Sequence, residues 1–127
     1  FYLLSQTFTQ DGLKSKLQAV NWAISEVGDK PFYLDSISQC FKYNGTRYLF
    51  TLVGREPVQS FVDANFSWLY RNPNLDLTPK LKVIFVHQDV HSSPALKAEY
   101  LDYLSQIVAR RSFGFWEVLI INNTITP

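Results

Sequence analysis

Four polar residues stand at the ends of apolar runs, and their types and spacing suit them to ligand binding. They are Asp35, Asp63, His87 and Asp89. In an open α/β sheet, ligands bind beyond the carboxyl ends of the strands, so these residues are predicted to converge on one rim. Carboxylates on such a rim can hold a sugar hydroxyl or a divalent cation.

The two earlier aspartates have a second interpretation, as N-caps of helices that follow them. Asp35 and Ser36 open a predicted helix in which Ser36 and Gln39 have the spacing of a capping box. Asp63 precedes a short predicted helix in the same way. An N-cap stabilises a protein by about 1 kcal/mol and requires this type of residue at this place. Capping is the simpler of the two interpretations.

His87 and His91 flank Asp89, and these three residues are a candidate metal site. On a helix, this spacing would place both imidazoles on one face, where they can chelate zinc. Here the spacing straddles a strand end and a loop, so a polar loop is the favoured interpretation. A small metal-dependent hydrolase, with Asp35, Asp63, Asp89 and His87 around the metal, is the corresponding functional alternative.

Composition narrows the remaining classes of function. The net charge of +1 comes from 12 basic and 11 acidic residues without a basic run, so no nucleic-acid partner is expected. The single cysteine, Cys40, allows no internal disulfide. Neither a nucleophile elbow nor a glycine-rich phosphate loop occurs. Apart from a possible divalent metal, no cofactor is predicted.

Helical and strand patterns alternate along the chain and must position these residues. Helical spacing runs from about residue 11 to 27, where Gly28 ends it. Four further helices are predicted: one starting at Asp35–Ser36, one over 46–53, one starting after Asp63, and one from Ser93–Pro94 through Val108. Arg110 and Arg111 are expected at the C-terminal end of the last helix. The predicted strands are 1–8, 32–34, 57–62, 81–87 and 116–121, and residues 71–79 are predicted to form a loop.

Alternation of this kind favours a mostly parallel sheet, because parallel strands need crossover connections. The expected fold is therefore a Rossmann-like α/β three-layer sandwich of about five mostly parallel strands with helices on both faces. The pattern also permits the last strand to lie antiparallel at an edge of the sheet. A single domain over 1–127 is expected.

Several short segments together resemble a known family. Trp22 near the end of the first helix is followed by Pro-Phe-Tyr-Leu-Asp over 31–35, then by Tyr-Leu-Phe over 48–50 and Gly54, and finally by Gly-Phe-Trp-Glu-Val over 114–118. This pattern resembles the soluble C-terminal domain of polytopic glycosyltransferases that use polyprenyl-phosphate sugars, the relatives of protein mannosyltransferases and aminoarabinose transferases.

The resemblance implies an accessory role. In that family the catalytic acidic residue lies in a loop between early membrane helices, so no catalytic residue is carried over to this sequence. The chain would be part of a longer membrane protein, on the extracytoplasmic side, in the periplasm or at the cell surface. Its partners would be the membrane-embedded part and a sugar or polyprenyl-phosphate sugar. The alternative is a stand-alone sensor or ligand-binding module that uses the strand-end rim.

Overall fold

The computed structural model describes residues 13–39, 45–63 and 79–122. The helices of this part are α1 (Leu13–Val27), α2 (Thr46–Leu52) and α3 (Pro94–Leu104), and none of them is long and apolar enough to cross a lipid bilayer. Its strands are β1 (Phe32–Ile37), β2 (Gln59–Ser60), β3 (Leu81–His87), β4 (Ile107–Phe113) and β5 (Trp116–Asn122), and a short 3-10 helix, Gln88–Ser92, joins β3 to α3. Four predictions fall wholly or mostly outside the described residues: the strand over 1–8, the part of the helix from Asp35–Ser36 that would contain Cys40, the helix after Asp63, and the loop over 71–79 except for residue 79.

The five described strands form one mixed sheet in the order β2-β1-β3-β5-β4. β1 pairs in parallel with β2 and with β3. β5 pairs antiparallel with both β3 and β4. The prediction of a mostly parallel, Rossmann-like sandwich is therefore wrong. β5 is antiparallel, as the sequence allowed, but it lies inside the sheet, and β4 forms the edge.

The strand β4 was not predicted, and its presence explains why the prediction of a mostly parallel sheet was wrong. Ile107 and Val108 continue the helical spacing of Leu104, and the sequence therefore predicts that α3 extends through them. In the structure α3 ends at Leu104, and Ile107 begins a strand that carries Arg110 and Arg111. Because Gly114, at φ 60°, turns the chain directly back into β5, these strands form an antiparallel hairpin without a crossover.

Both faces of the central strand β3 are covered. Val83 and Phe85 belong to a core cluster beneath α1 and α2, whereas Ile84 and Val86 belong to a second cluster beneath α3. All four of these residues are at most 2% exposed. Such two-sided burial explains the continuous apolar run over 81–87, and the prediction of a strand with these bounds is confirmed.

The helix starting at Ser93–Pro94 was also predicted, and its start is confirmed. The Ser93 hydroxyl accepts a hydrogen bond from the backbone N–H of Leu96, and Pro94 is the first helical residue. Proline is favoured at that position because the first N–H groups of a helix have no partner within it. Helix α1 ends before Gly28, at φ 59°, as predicted, and α2 lies within the helix predicted over 46–53.

Asp35 does not cap a helix, contrary to the favoured sequence interpretation. β1 continues past it, since Ser36 and Ile37 pair with Phe85 and Val86 of β3. The Asp35 side chain is 5% exposed, and its Oδ2 lies 3.3 Å from the ammonium of Lys82, whose side chain is 15% exposed. Asp35 is therefore one half of a largely buried ion pair in the middle of the sheet.

We predict that Asp35→Asn lowers the free energy of unfolding by about 3 kcal/mol, because removing one partner leaves the other charge buried. An N-cap would account for only about 1 kcal/mol. Urea denaturation of the two proteins measures the difference. In the double variant Asp35→Asn/Lys82→Met neither charge remains, and the side-chain oxygen at position 35 can still accept the 2.8 Å hydrogen bond from the Ser36 backbone N–H, so most of the lost stability should return. If the double variant is less stable than Asp35→Asn, the ion-pair explanation is incorrect.

Candidate ligand-binding site

The carboxyl ends of the parallel strands meet at one edge of the sheet. β3 ends there at His87, and the antiparallel β5 starts there at Trp116, directly opposite His87 in the register. Asp63 lies three residues beyond the end of β2. This edge, the position at which α/β sheets bind ligands, is called the rim below.

His87 is held from two sides. Its ring lies edge-to-face with Trp116, with 4.9 Å between the ring centroids and 76° between the planes. Its Nδ1 accepts a hydrogen bond of 3.2 Å from the backbone N–H of Asp89 and lies 3.3 Å from Asp89 Oδ1. Because Asp89 occupies the Nδ1 side of the ring, Nε2 is the nitrogen that would face a ligand.

Asp89 also ties together the segments that follow β1 and β3. Its Oδ2 accepts a hydrogen bond of 3.1 Å from the backbone N–H of Gln39. The Gln39 amide in turn donates to the Asp89 carbonyl at 2.9 Å and to Ser92 Oγ at 3.1 Å. Gln39 is thus a loop residue that fixes the rim, and the predicted helical capping box of Ser36 and Gln39 is wrong.

Lys16 of α1 also contacts Trp116, with its ammonium 5.0 Å from the centre of the indole ring. Burial lowers the pKa of Lys16, and the nearby Asp63 carboxylate partly opposes that shift. Asp63 is 6% exposed, adopts φ 53°, and accepts a hydrogen bond of 3.0 Å from the backbone N–H of Gly45. Aspartate tolerates this left-handed conformation better than most residues.

Three of the four predicted rim residues are therefore connected. Asp63 acts on Lys16, Lys16 and His87 both contact Trp116, and His87 contacts Asp89. Asp35 is the exception. It lies on the sheet face beneath α3 with Lys82, and the rim contacts are made on the face beneath α1.

A small depression of about 140 Å³ opens beside His87 and Trp116. His91 lines it and packs edge-to-face on Tyr100, with 5.3 Å between the ring centroids. The Tyr100 hydroxyl donates a hydrogen bond of 2.7 Å to Glu117 Oε1. Burial and this carboxylate raise the pKa of Tyr100 to about 12.

Of the candidate metal residues, His87 and His91 line this depression, and Asp89 lies against the Nδ1 side of His87. Within ranges 13–39, 45–63 and 79–122, no three histidine, cysteine, aspartate or glutamate side chains are grouped so as to hold a metal ion. His91 is directed to the Tyr100 ring, and Asp89 is hydrogen-bonded to Gln39.

Sequence reasoning missed Lys16, Trp116, Tyr100 and Glu117. Only Lys16 carries a recognisable signal: it lies three residues before Ala19 and four before Val20, which are both buried on the inner face of α1. A lysine on the apolar face of an amphipathic helix is costly to bury unless it has a partner or a role. Trp116 and Glu117 are placed by β5, whose position sequence spacing does not reveal, and Tyr100 of α3 joins them through its hydrogen bond to Glu117.

Together these groups offer an ammonium, an imidazole and an aromatic wall to a polar ligand. Charge-assisted hydrogen bonds from such nitrogens suit phosphate or carboxylate oxygens. The carboxylate of Glu117, which lines the depression, is a hydrogen-bond acceptor there. Comparison of the chain with protein-family models, with curated proteins and with solved structures finds no match.

We predict that Tyr100→Phe lowers the free energy of unfolding at neutral pH by about 2 kcal/mol, because a hydrogen bond to a carboxylate is lost. The folded protein binds the phenolic proton more tightly than the unfolded chain, where the pKa is near 10. This stabilisation is therefore complete below about pH 10 and disappears as the pH rises towards 12.

Urea denaturation at several pH values tests this prediction, with Tyr48→Phe as the matched control, since Tyr48 is 55% exposed. The stability difference between wild type and Tyr100→Phe should shrink across that alkaline window. A difference that stays constant, or that appears equally in Tyr48→Phe, would contradict the assigned hydrogen bond.

Proposed function

We propose that this domain is an accessory, non-catalytic part of a membrane glycosyltransferase and that its rim binds the glycosyl-phosphate portion of a lipid-linked sugar. One observation carries the proposal: the Lys16 ammonium and the His87 imidazole contact the same indole ring at the carboxyl edge of the parallel strands. A cation, a nitrogen donor and an aromatic surface are the three features that a sugar phosphate requires.

The lowered pKa of Lys16 supports an anionic ligand. Burial removes part of the hydration of its ammonium, and the effect of this burial on the pKa outweighs the opposing effect of the Asp63 carboxylate. A phosphate oxygen next to this ammonium would supply a charge-assisted hydrogen bond and would favour the protonated form. His87, which contacts the same indole ring, would donate a second hydrogen bond to the ligand through Nε2.

The sugar would be held by the remaining groups of the rim. Hydroxyl groups of a pyranose in the depression can donate to the carboxylate of Glu117. The apolar C–H face of the ring fits against an aromatic side chain such as Trp116, which combines a large apolar surface with a polar tip. The depression beside Trp116 has room for one small group, so a single sugar unit or its phosphate would enter it.

The accessory role rests on the resemblance described above, in which catalysis belongs to the membrane-embedded part. A stand-alone sensor or ligand-binding module is the alternative, and it would use the same rim. The accessory role and the stand-alone module require different parent proteins. Eight or more membrane helices in the same reading frame, ahead of this domain, would support the accessory role, and a reading frame without membrane helices would overturn it.

Binding to the rim is tested by titrating the ¹⁵N-labelled protein with mannose 1-phosphate and following the indole N–H signal of Trp116 by NMR. We predict that Lys16→Met and His87→Gln each weaken binding by roughly tenfold or more, since each removes a charge-assisted or nitrogen-donor hydrogen bond. Methionine keeps the apolar stem of Lys16 on the indole ring.

Lys97→Met is the matched control, because Lys97 is an exposed lysine on α3, away from the rim. Inorganic phosphate and mannose, titrated separately, show which part of the ligand is recognised. Thermal unfolding confirms that each variant is folded. If mannose 1-phosphate leaves the Trp116 signal unmoved, or if Lys97→Met weakens binding as much as Lys16→Met, the rim does not bind glycosyl phosphates.

A further inference from the structure

A second surface with the features of a binding site lies between α1 and the β4–β5 hairpin. It is an open groove of about 710 Å³. Gln18, Asn21 and Trp22 line one wall, and they project from one side of α1 because they are spaced three and four residues apart. Arg111 and Phe113 line the other wall, on the same face of β4.

The aromatic rings of the groove are held in place. Trp22 and Phe113 contact each other, with 6.0 Å between the ring centroids and 52° between the planes. Both also pack against the core cluster beneath α1, which fixes their orientation. The guanidinium carbon of Arg111 lies 5.5 Å from the centre of the Phe113 ring. An ordered aromatic surface is therefore edged by a planar hydrogen-bond donor.

Gln18 and Asn21 are exposed and border these rings. A side-chain amide carries both a donor and an acceptor, and a sugar hydroxyl is likewise both. Neighbouring hydroxyls of a pyranose can therefore bind one amide in a paired manner. The C–H face of the same pyranose can lie against Trp22 or Phe113 without leaving a polar group unsatisfied.

We propose that this groove is a second binding site, for a neutral oligosaccharide. Its described lining holds a single cation, Arg111, and no carboxylate, which provides little charge for a polyanionic ligand. The two amides and two aromatic rings match an uncharged, hydroxyl-rich ligand better. The volume of about 710 Å³, against about 140 Å³ for the depression at the rim, also suits a chain of sugars rather than a single unit.

The groove is distinct from the rim, although the two adjoin. They share only Ser112 and Gly114 at the hairpin turn. The inference goes beyond the proposed function and does not require the rim to bind a sugar phosphate. Where both sites are occupied, an oligosaccharide in the groove would lie next to the glycosyl phosphate at the rim, as a sugar acceptor lies next to its donor.

The experiment is an NMR titration of the full chain with two neutral trisaccharides, mannotriose and triacetylchitotriose. At least one should shift the indole N–H of Trp22 and the side-chain amide signals of Gln18 and Asn21 at millimolar concentration. Gln18→Ala and Asn21→Ala should each weaken binding by about tenfold, the effect of losing a paired amide contact. Both positions are exposed and helical, so alanine leaves the fold intact.

Gln59→Ala is the matched control, because Gln59 is an exposed amide on β2, at the opposite edge of the sheet. It should bind the trisaccharide as the wild type does. The proposal is overturned if neither trisaccharide shifts the Trp22 signal, if Gln18→Ala and Asn21→Ala bind normally, or if only inorganic phosphate or a peptide occupies the groove. The Trp22 and Trp116 signals report the groove and the rim separately, so failure at one site is distinguishable from failure at the other.

Discussion

The antiparallel pairing of β5 with β3 is the interaction on which the rest of this structure depends. It aligns seven residue pairs, from Leu81 with Asn122 to His87 with Trp116. The pairing makes β3 a central strand, so both of its faces require a cover and the helices divide between them. The same pairing sets Trp116 at the end of β3, where the rim is formed. The apolar core and the candidate site therefore both depend on the pairing of β5 with β3.

Two largely buried lysines on opposite faces of the sheet illustrate how differently a cation can be accommodated. Lys82 lies 3.3 Å from Asp35 and within 5.3 Å of the Phe61 and Tyr103 ring centres, so its charge is balanced within the fold. Lys16 faces an indole ring, and its pKa is lowered despite the influence of Asp63. A charge that the fold balances in full has a structural role. A cation whose pKa is lowered by burial, as that of Lys16 is, gains from the approach of an anion, and the proposed ligand of the rim is of this kind.

Local patterns in the sequence were sufficient for elements whose boundaries carry clear chemical signals. Gly28 ends α1, Ser93 and Pro94 start α3, and continuous burial gives β3 its apolar run. The errors occurred where the signals of two structures coincide. Asp35 and Ser36 have the chemistry of a helix start, but tertiary pairing with β3 extends the strand through them. Ile107 fits both the stripe of α3 and the start of β4, with no glycine or proline nearby to separate them.

Part of the candidate site could likewise be predicted from local patterns in the sequence. His87 and Asp89 are neighbours in sequence, and the end of a buried strand was enough to bring them to the rim. Lys16 and Trp116 are 100 positions apart and meet only because β5 is inserted beside β3, beneath α1. Arg111, expected at a helix end, instead lies on an edge strand, where a charged side chain discourages pairing with another sheet. That position also gives the groove its guanidinium, so the error over β4 concealed both the true topology and the second surface.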